Sequence, residues 1–100
     1  MLDKKTVREI AKRYADEVRG TLAPKTIILF GSYVNGTPGN DSDIDIAIVF
    51  NNFTGNWLET ASRLCSLRRR VSVDIEPHMM DEANDRGGFL ELIMKTGEII

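Results

Sequence analysis

Apolar positions in the first twenty residues recur every three or four places. Val7, Ile10, Ala11, Tyr14 and Val18 form one stripe, which predicts an amphipathic helix over residues 4–19. Thr6 and Glu9 have the spacing of a capping box, and Gly20 supplies a stop. The pattern changes after Pro24. Thr26 to Phe30 is continuously apolar and too short for a helix, as expected of a strand covered on both faces. Ser32 to Asn35 leaves room for a turn or two of helix before the loop Gly36-Thr37-Pro38-Gly39-Asn40. A second strand from Ile44 to Phe50 ends at Asn51-Asn52.

Thr54 to Asn56 introduces a second long helix, with Trp57, Leu58, Ala61, Leu64, Cys65 and the stem of Arg68 on one face. Val71 to Glu76 alternates with period two and reads as a third strand closed by Pro77. Val71, Val73 and Ile75 then face the core, while Ser72, Asp74 and Glu76 face the other way. Met79 to Gly88 reads as a polar connection. A short last helix from Phe89 to Lys95 uses Phe89, Leu92, Ile93 and Leu90, and stops near Gly97. This order predicts an α/β (α+β) fold, a small mixed β-sheet packed with helices, as a single domain over residues 1–100.

Composition removes several function classes. A net charge of −2 argues against a free-standing nucleic-acid binder, so direct nucleic-acid binding is not expected. No apolar run approaches the roughly 20 residues that span a membrane. Met1 to Gly20 alternates charges where a secretory signal would be apolar. The single cysteine, Cys65, permits no internal disulfide, fits a reducing cytoplasm and falls on the predicted apolar face.

The candidate chemistry lies between Ile27 and Phe50. Asp43 and Asp45 open the second strand two residues apart, so they share one face. Two like charges about 5 Å apart repel by roughly 3 kcal/mol at an effective dielectric near 20, which favours a cation between them. Gly31-Ser32 follows a strand and opens a helix, where a backbone can hold phosphate, although a plain turn has the same sequence. It is no Walker loop, because Thr37 stands where the lysine belongs. A calcium hand fails too, since Ile46 and Asn52 replace its glycine and glutamate. Asp74 is either a solvated edge-strand charge or the third member of a carboxylate cluster. Such clusters hold two Mg²⁺ ions for in-line phosphoryl chemistry.

Gly31-Ser32, ten intervening residues, Asp43-Ile44-Asp45 and a later strand aspartate together resemble the signature of the DNA polymerase β-like nucleotidyltransferase superfamily. At this length the chain is similar to the minimal nucleotidyltransferases (MNT), many of them antitoxins of HEPN/MNT toxin–antitoxin pairs. The resemblance implies a nucleotidyltransferase fold and a cytoplasmic nucleotidyltransferase enzyme, with magnesium as cofactor, two ions being expected. Gly31 and Ser32 would be nucleotide-binding. Asp43, Asp45 and Asp74 would be the catalytic and metal-binding residues, Asp74 also helping to activate the acceptor hydroxyl. The implied reaction moves a nucleoside monophosphate, AMP from ATP, to a hydroxyl on a protein partner. A HEPN-domain protein is the implied partner, and a homo-oligomer is an alternative assembly. Two other functions stay open: an idle antitoxin that neutralises by binding alone, and a catalytic subunit acting on a small molecule or RNA.

Glu76 is read as a surface residue, His78 as structural or solvated, and Arg68-Arg69-Arg70 as cations favoured at a helix C-terminus. Phe53, Trp57, Phe89 and Leu90 are expected to leave apolar surface for a partner.

Overall fold

Two separate apolar layers clasp one four-stranded sheet. The computed structural model describes residues 3–35 and 43–100, and the loop expected at Gly36 to Asn40 lies outside them. The chain forms α1 (Lys4–Arg19), β1 (Thr26–Phe30), α2 (Ser32–Asn35), β2 (Ile44–Phe50) and α3 (Trp57–Leu67). A 3₁₀ turn at Arg68–Arg70 leads to β3 (Ile75–Asp81), and another at Glu82–Asn84 precedes α4 (Phe89–Thr96) and β4 (Glu98–Ile99). The strand order is β3-β2-β1-β4. β1 runs antiparallel to β2 and β4, and β2 runs parallel to β3, so the sheet is mixed as expected.

The continuous apolar runs of β1 and β2 follow from this sandwiching. Ile27, Leu29, Ile44, Ile46, Ile48, Phe50 and Ile75 meet Val7, Ala11, Tyr14 and Val18 of α1 and Leu64 and Leu67 of α3. On the opposite face Ile28, Phe30, Ala47 and Val49 meet Leu90 and Ile93 of α4. Burying a side chain of this size contributes roughly 1.5–3 kcal/mol, so two anchoring residues suffice to hold a short α4. Tyr14 joins α1 to α3: its buried hydroxyl donates to the Leu64 carbonyl at 2.6 Å. Burial, the leading cause, holds that hydroxyl well above its ordinary pKa.

Several local expectations change. Asp3 caps α1, accepting from the Thr6 N–H at 2.7 Å, so the cap lies three residues before the expected one. Cys65 is exposed, because α3 buries only Leu64 and Leu67. On α4 the inward residues are Leu90 and Ile93, whereas Phe89 and Leu92 are half exposed. The Asp85 carboxylate accepts from the Leu90 and Glu91 N–H groups at the start of that helix. Glu98–Ile99 adds a short strand where only a helix stop was expected. A Cβ on Gly97 would come within 2.6 Å of Ile28 Cγ2 and 2.8 Å of two backbone oxygens. Only glycine lets α4 turn back against β1 so closely.

The largest correction concerns β3, expected over Val71 to Glu76 and observed over Ile75–Asp81. Arg68 turns residues 71–74 away from strand geometry, its carbonyl accepting from the Val71 and Ser72 N–H groups at 3.0 and 2.8 Å. Val73, expected in the core, is 73% exposed. Pro77 does not close the strand. The Ile44 N–H donates to the Asp74 carbonyl, and groups facing β2 recur at every second residue, so those of Glu76 and His78 face β2. The Pro77 nitrogen therefore faces the open edge of an edge strand, where no ladder bond is lost. Arg68 covers that edge, its guanidinium donating to the Ile75 carbonyl at 3.1 Å.

Candidate active site

Along one face of β2 the residues run Asp43, Asp45, Ala47, Val49, so the face changes from acidic to apolar within one strand. β3 repeats the change with Glu76, His78 and Met80, because its register sets Glu76 beside Asp45 and His78 beside Ala47. α4 covers the apolar half. The acidic half lies beyond it, with Asp43 and Glu76 exposed and Asp45 and His78 half-buried.

Three groups converge there. One donor atom each from Asp45, Glu76 and His78 lies within 4.8 Å of the others. His78 Nε2 is 3.1 Å from Asp45 Oδ1. Its ring meets the edge of Phe30 at 5.1 Å between centroids, and Phe30 meets Phe89 at 6.0 Å. Asp43 is a close acidic neighbour of Glu76. The Glu76 carboxyl is held above the ordinary range, first by partial withdrawal from water and then by its proximity to the Asp43 carboxyl, with the charges of Asp45 and Asp43 adding and His78 opposing.

Gly31 brings the turn after β1 against this cluster. Its backbone is left-handed at φ +85°, and a Cβ there would lie 2.3 Å from Asp45 Oδ2. The Asp45 carboxylate thus occupies space that any side chain at position 31 would fill. Ser32, next along, is half-buried and begins α2.

The structure therefore sets the Gly31 turn against Asp45, with Asp43 two residues before Asp45 and Ser32 beginning α2. Asp74 is exposed in the turn immediately before β3, its N–H on Ser72 Oγ and its carbonyl accepting from the Ile44 N–H of β2, and it is not one of the three grouped donors. Glu76 is the β3 carboxylate that parallel register opposes to Asp45. His78 joins the same face. Sequence reasoning left Glu76 at the surface, on Asp74's face but two residues further along, and set His78 beyond a strand ended at Pro77. The alternation of Glu76, His78 and Met80 across that proline was the available signal.

A groove of about 510 Å³ lies at the other end of β3, lined by Phe53, Trp57, Met79, Met80 and Phe89 among others. Its acidic side chains, Asp81 and Asp85, accept from backbone N–H groups. The convergent donors are at the Glu76 end, which makes that end the candidate for chemistry.

The donor set fits a divalent cation, the group that nucleotidyltransferases usually require. Clustered carboxyls, one with its pKa raised beside two others, gain most from a positive charge placed among them.

Among solved structures, a protein from Sulfolobus solfataricus described as a nucleotidyltransferase aligns with a TM-score of 0.68 at 22% identity, covering 96% of this chain and 80% of its own. A variant of the MntA–HpeT toxin–antitoxin aligns at 0.59 and 25% identity, covering 89% of this chain and 69% of that one. A toxin–antitoxin with AMP-PNP aligns at 0.56 and 24%, covering 98% and 72%. No curated protein matches the chain. A family model described as polymerase beta, nucleotidyltransferase matches residues 6–100, nearly the whole chain. With its sheet, its Gly31 turn and its paired aspartates in place, the chain belongs to the polymerase beta nucleotidyltransferase family.

Proposed function

We propose that this chain is a Mg²⁺-dependent nucleotidyltransferase that moves AMP from ATP to a hydroxyl on a partner protein, and so acts as the antitoxin of a toxin–antitoxin pair. One observation carries the reading: Asp43, Asp45 and Glu76 gather beside the Gly31 turn in a chain of the nucleotidyltransferase family. The toxin–antitoxin assignment draws on the MntA–HpeT neighbours, and the donor on the neighbour containing AMP-PNP. A HEPN protein is the partner we infer, and the cytoplasm the compartment. No helix among the described residues is long and apolar enough to cross a membrane.

Asp43, Asp45 and Glu76 would hold the cation, and the turn at Gly31 and Ser32 would hold the triphosphate. Bound there, Mg²⁺ supplies positive charge against the phosphate oxygens. The chain's own residues do the rest. Gly31 lets backbone approach the carboxylates without a side chain between them. Glu76, with its raised pKa, is suited to take the proton of the acceptor hydroxyl. The acceptor oxygen bonds to the α-phosphorus, the bond from that phosphorus to the bridging oxygen breaks, and pyrophosphate leaves.

The experiment is mass spectrometry of the partner after co-expression with the wild type or with Asp43→Asn. Added nucleotidyl mass with the wild type alone supports transfer. No added mass, with the toxin equally silenced by both versions, would establish neutralisation by binding.

A further inference from the structure

We propose that His78 is itself a metal ligand, giving this site a preference for a divalent transition metal, Mn²⁺ in the first instance, over Mg²⁺. The inference rests on the metal-dependent reading above and narrows it.

His78 Nε2 and Asp45 Oδ1 are 3.1 Å apart. Two adjacent ligands on an octahedral ion with bonds of about 2.1–2.2 Å stand about 3 Å apart, so these atoms already have the spacing of a ligand pair. Glu76 supplies the third donor within 4.8 Å. The ring is held for this task. Beside His78 in the register is Ala47, whose single methyl leaves room for the imidazole to lean towards Asp45. The edge of Phe30 packs against the ring, and Phe89 packs against Phe30 in turn.

The chemistry discriminates between ions. Mg²⁺ takes hard oxygen ligands, whereas an imidazole nitrogen binds more strongly to first-row transition metals. A site with one nitrogen among carboxylates should therefore favour Mn²⁺ over Mg²⁺ by more than an all-oxygen site does. The same 3.1 Å contact also suits a histidine that merely orients Asp45 by hydrogen bonding, so the test must see the nitrogen itself.

His78 is the only histidine in the chain, so any histidine nitrogen on the ion comes from it once an affinity tag is removed. The full chain, without nucleotide, is titrated with MnCl₂ and with MgCl₂. Bound Mn²⁺ is then read by pulsed EPR in natural-abundance and [¹⁵N]histidine-labelled protein. The expected result is a nitrogen coupling that changes with the label. His78→Ala should abolish it and weaken Mn²⁺ binding at least about tenfold, the lower bound for losing even an outer partner of a ligand. Mg²⁺ affinity should fall by a smaller factor, and His78→Gln should narrow the preference between the ions.

Bound Mn²⁺ without a label-dependent coupling would overturn the inference and leave His78 a positioning residue. If neither ion binds, the metal-dependent reading falls as well. Thermal melts check the variants' folding. If His78→Ala does not fold, the labelled wild-type spectrum decides alone.

Discussion

The two ends of β3 hold carboxylates in opposite surroundings. At its start, Glu76 neighbours another carboxyl, Asp43, and stands beside a third, Asp45. At its end, Asp81 accepts N–H bonds from Asn52 at 3.0 Å, Phe53 at 2.8 Å and Ala83 at 2.9 Å. The Phe53 bond is the main reason that the Asp81 carboxyl lies below its ordinary range, whereas Glu76 lies above its own. Saturated by backbone donors, Asp81 ties β3 to the turn after β2. Glu76 and its neighbours are crowded by like charge. Acidity alone does not mark a site; what supplies the compensating charge or donors does.

Asp45→Asn should have the largest effect and put this distinction at most risk. Transfer should fall on the order of a hundredfold or more, the scale of losing preorganised electrostatics in a reactive site. The fold should persist, and without metal the variant should melt at the same temperature or higher, because a repelling charge is gone. Transfer of labelled AMP and melts with and without Mg²⁺ measure both. A melting temperature well below the wild type would make Asp45 part of the scaffold and remove the contrast with Asp81.

The turn comes next. Ser32→Ala should weaken triphosphate binding by about 1.5–3 kcal/mol, the worth of one hydrogen bond to a charged group, with little change in stability. Gly31→Ala should reduce transfer further, since its Cβ would press on Asp45 Oδ2 and its left-handed φ disfavours alanine. Calorimetry with ATP separates the two. Unchanged affinity in Ser32→Ala would return the turn to a purely structural role.

What could be read in the sequence divides along the same strand. β1, α2 and β2 were legible because apolar runs and a glycine set them locally, and Asp43 and Asp45 needed only the period of a strand. β3 was not legible, because its limits depend on partners. Val71 and Val73 alternate like a strand, yet hydrogen bonds to the Arg68 carbonyl turn the chain there. Pro77 resembles a terminator, and only the strand's place at the sheet edge makes it harmless. A two-residue error in where β3 pairs keeps the face and changes the residue. That is why Glu76 and His78, which the observed register sets beside Asp45 and Ala47, were read as lying outside the cluster. Cys65 missed its place for a related reason: its stripe on α3 was right in period and wrong in phase.

Asp81→Ala tests the other end of the strand. It should lower the melting temperature by several degrees, because three backbone N–H groups lose their acceptor, and it should leave transfer per folded molecule unchanged. Transfer falling as far as in Asp45→Asn would bring Asp81 into the chemistry and undo the comparison.

The smallest effect is the pH dependence of stability, and its sign follows from linkage. Asp81 titrates below its ordinary 3.8 in the folded chain, held there by backbone N–H donors. Between that folded value and 3.8 the unfolded chain binds more protons, so acid favours unfolding. The contribution is complete above about pH 4 and is lost as pH falls through the folded value. Glu98, lowered chiefly by its hydrogen bond with Arg8, acts in the same direction from its ordinary 4.5. Denaturant melts from pH 6 down to pH 3 should therefore show a falling acid limb that is shallower in Asp81→Asn. Glu76 has the opposite sign, because a raised carboxyl contributes most below its ordinary 4.5 and loses that contribution as pH rises. Glu76→Gln removes that opposing contribution, so it should make the acid limb steeper than in the wild type. If Glu76→Gln flattened it and Asp81→Asn did not, the two ends of β3 would have exchanged the roles assigned to them here.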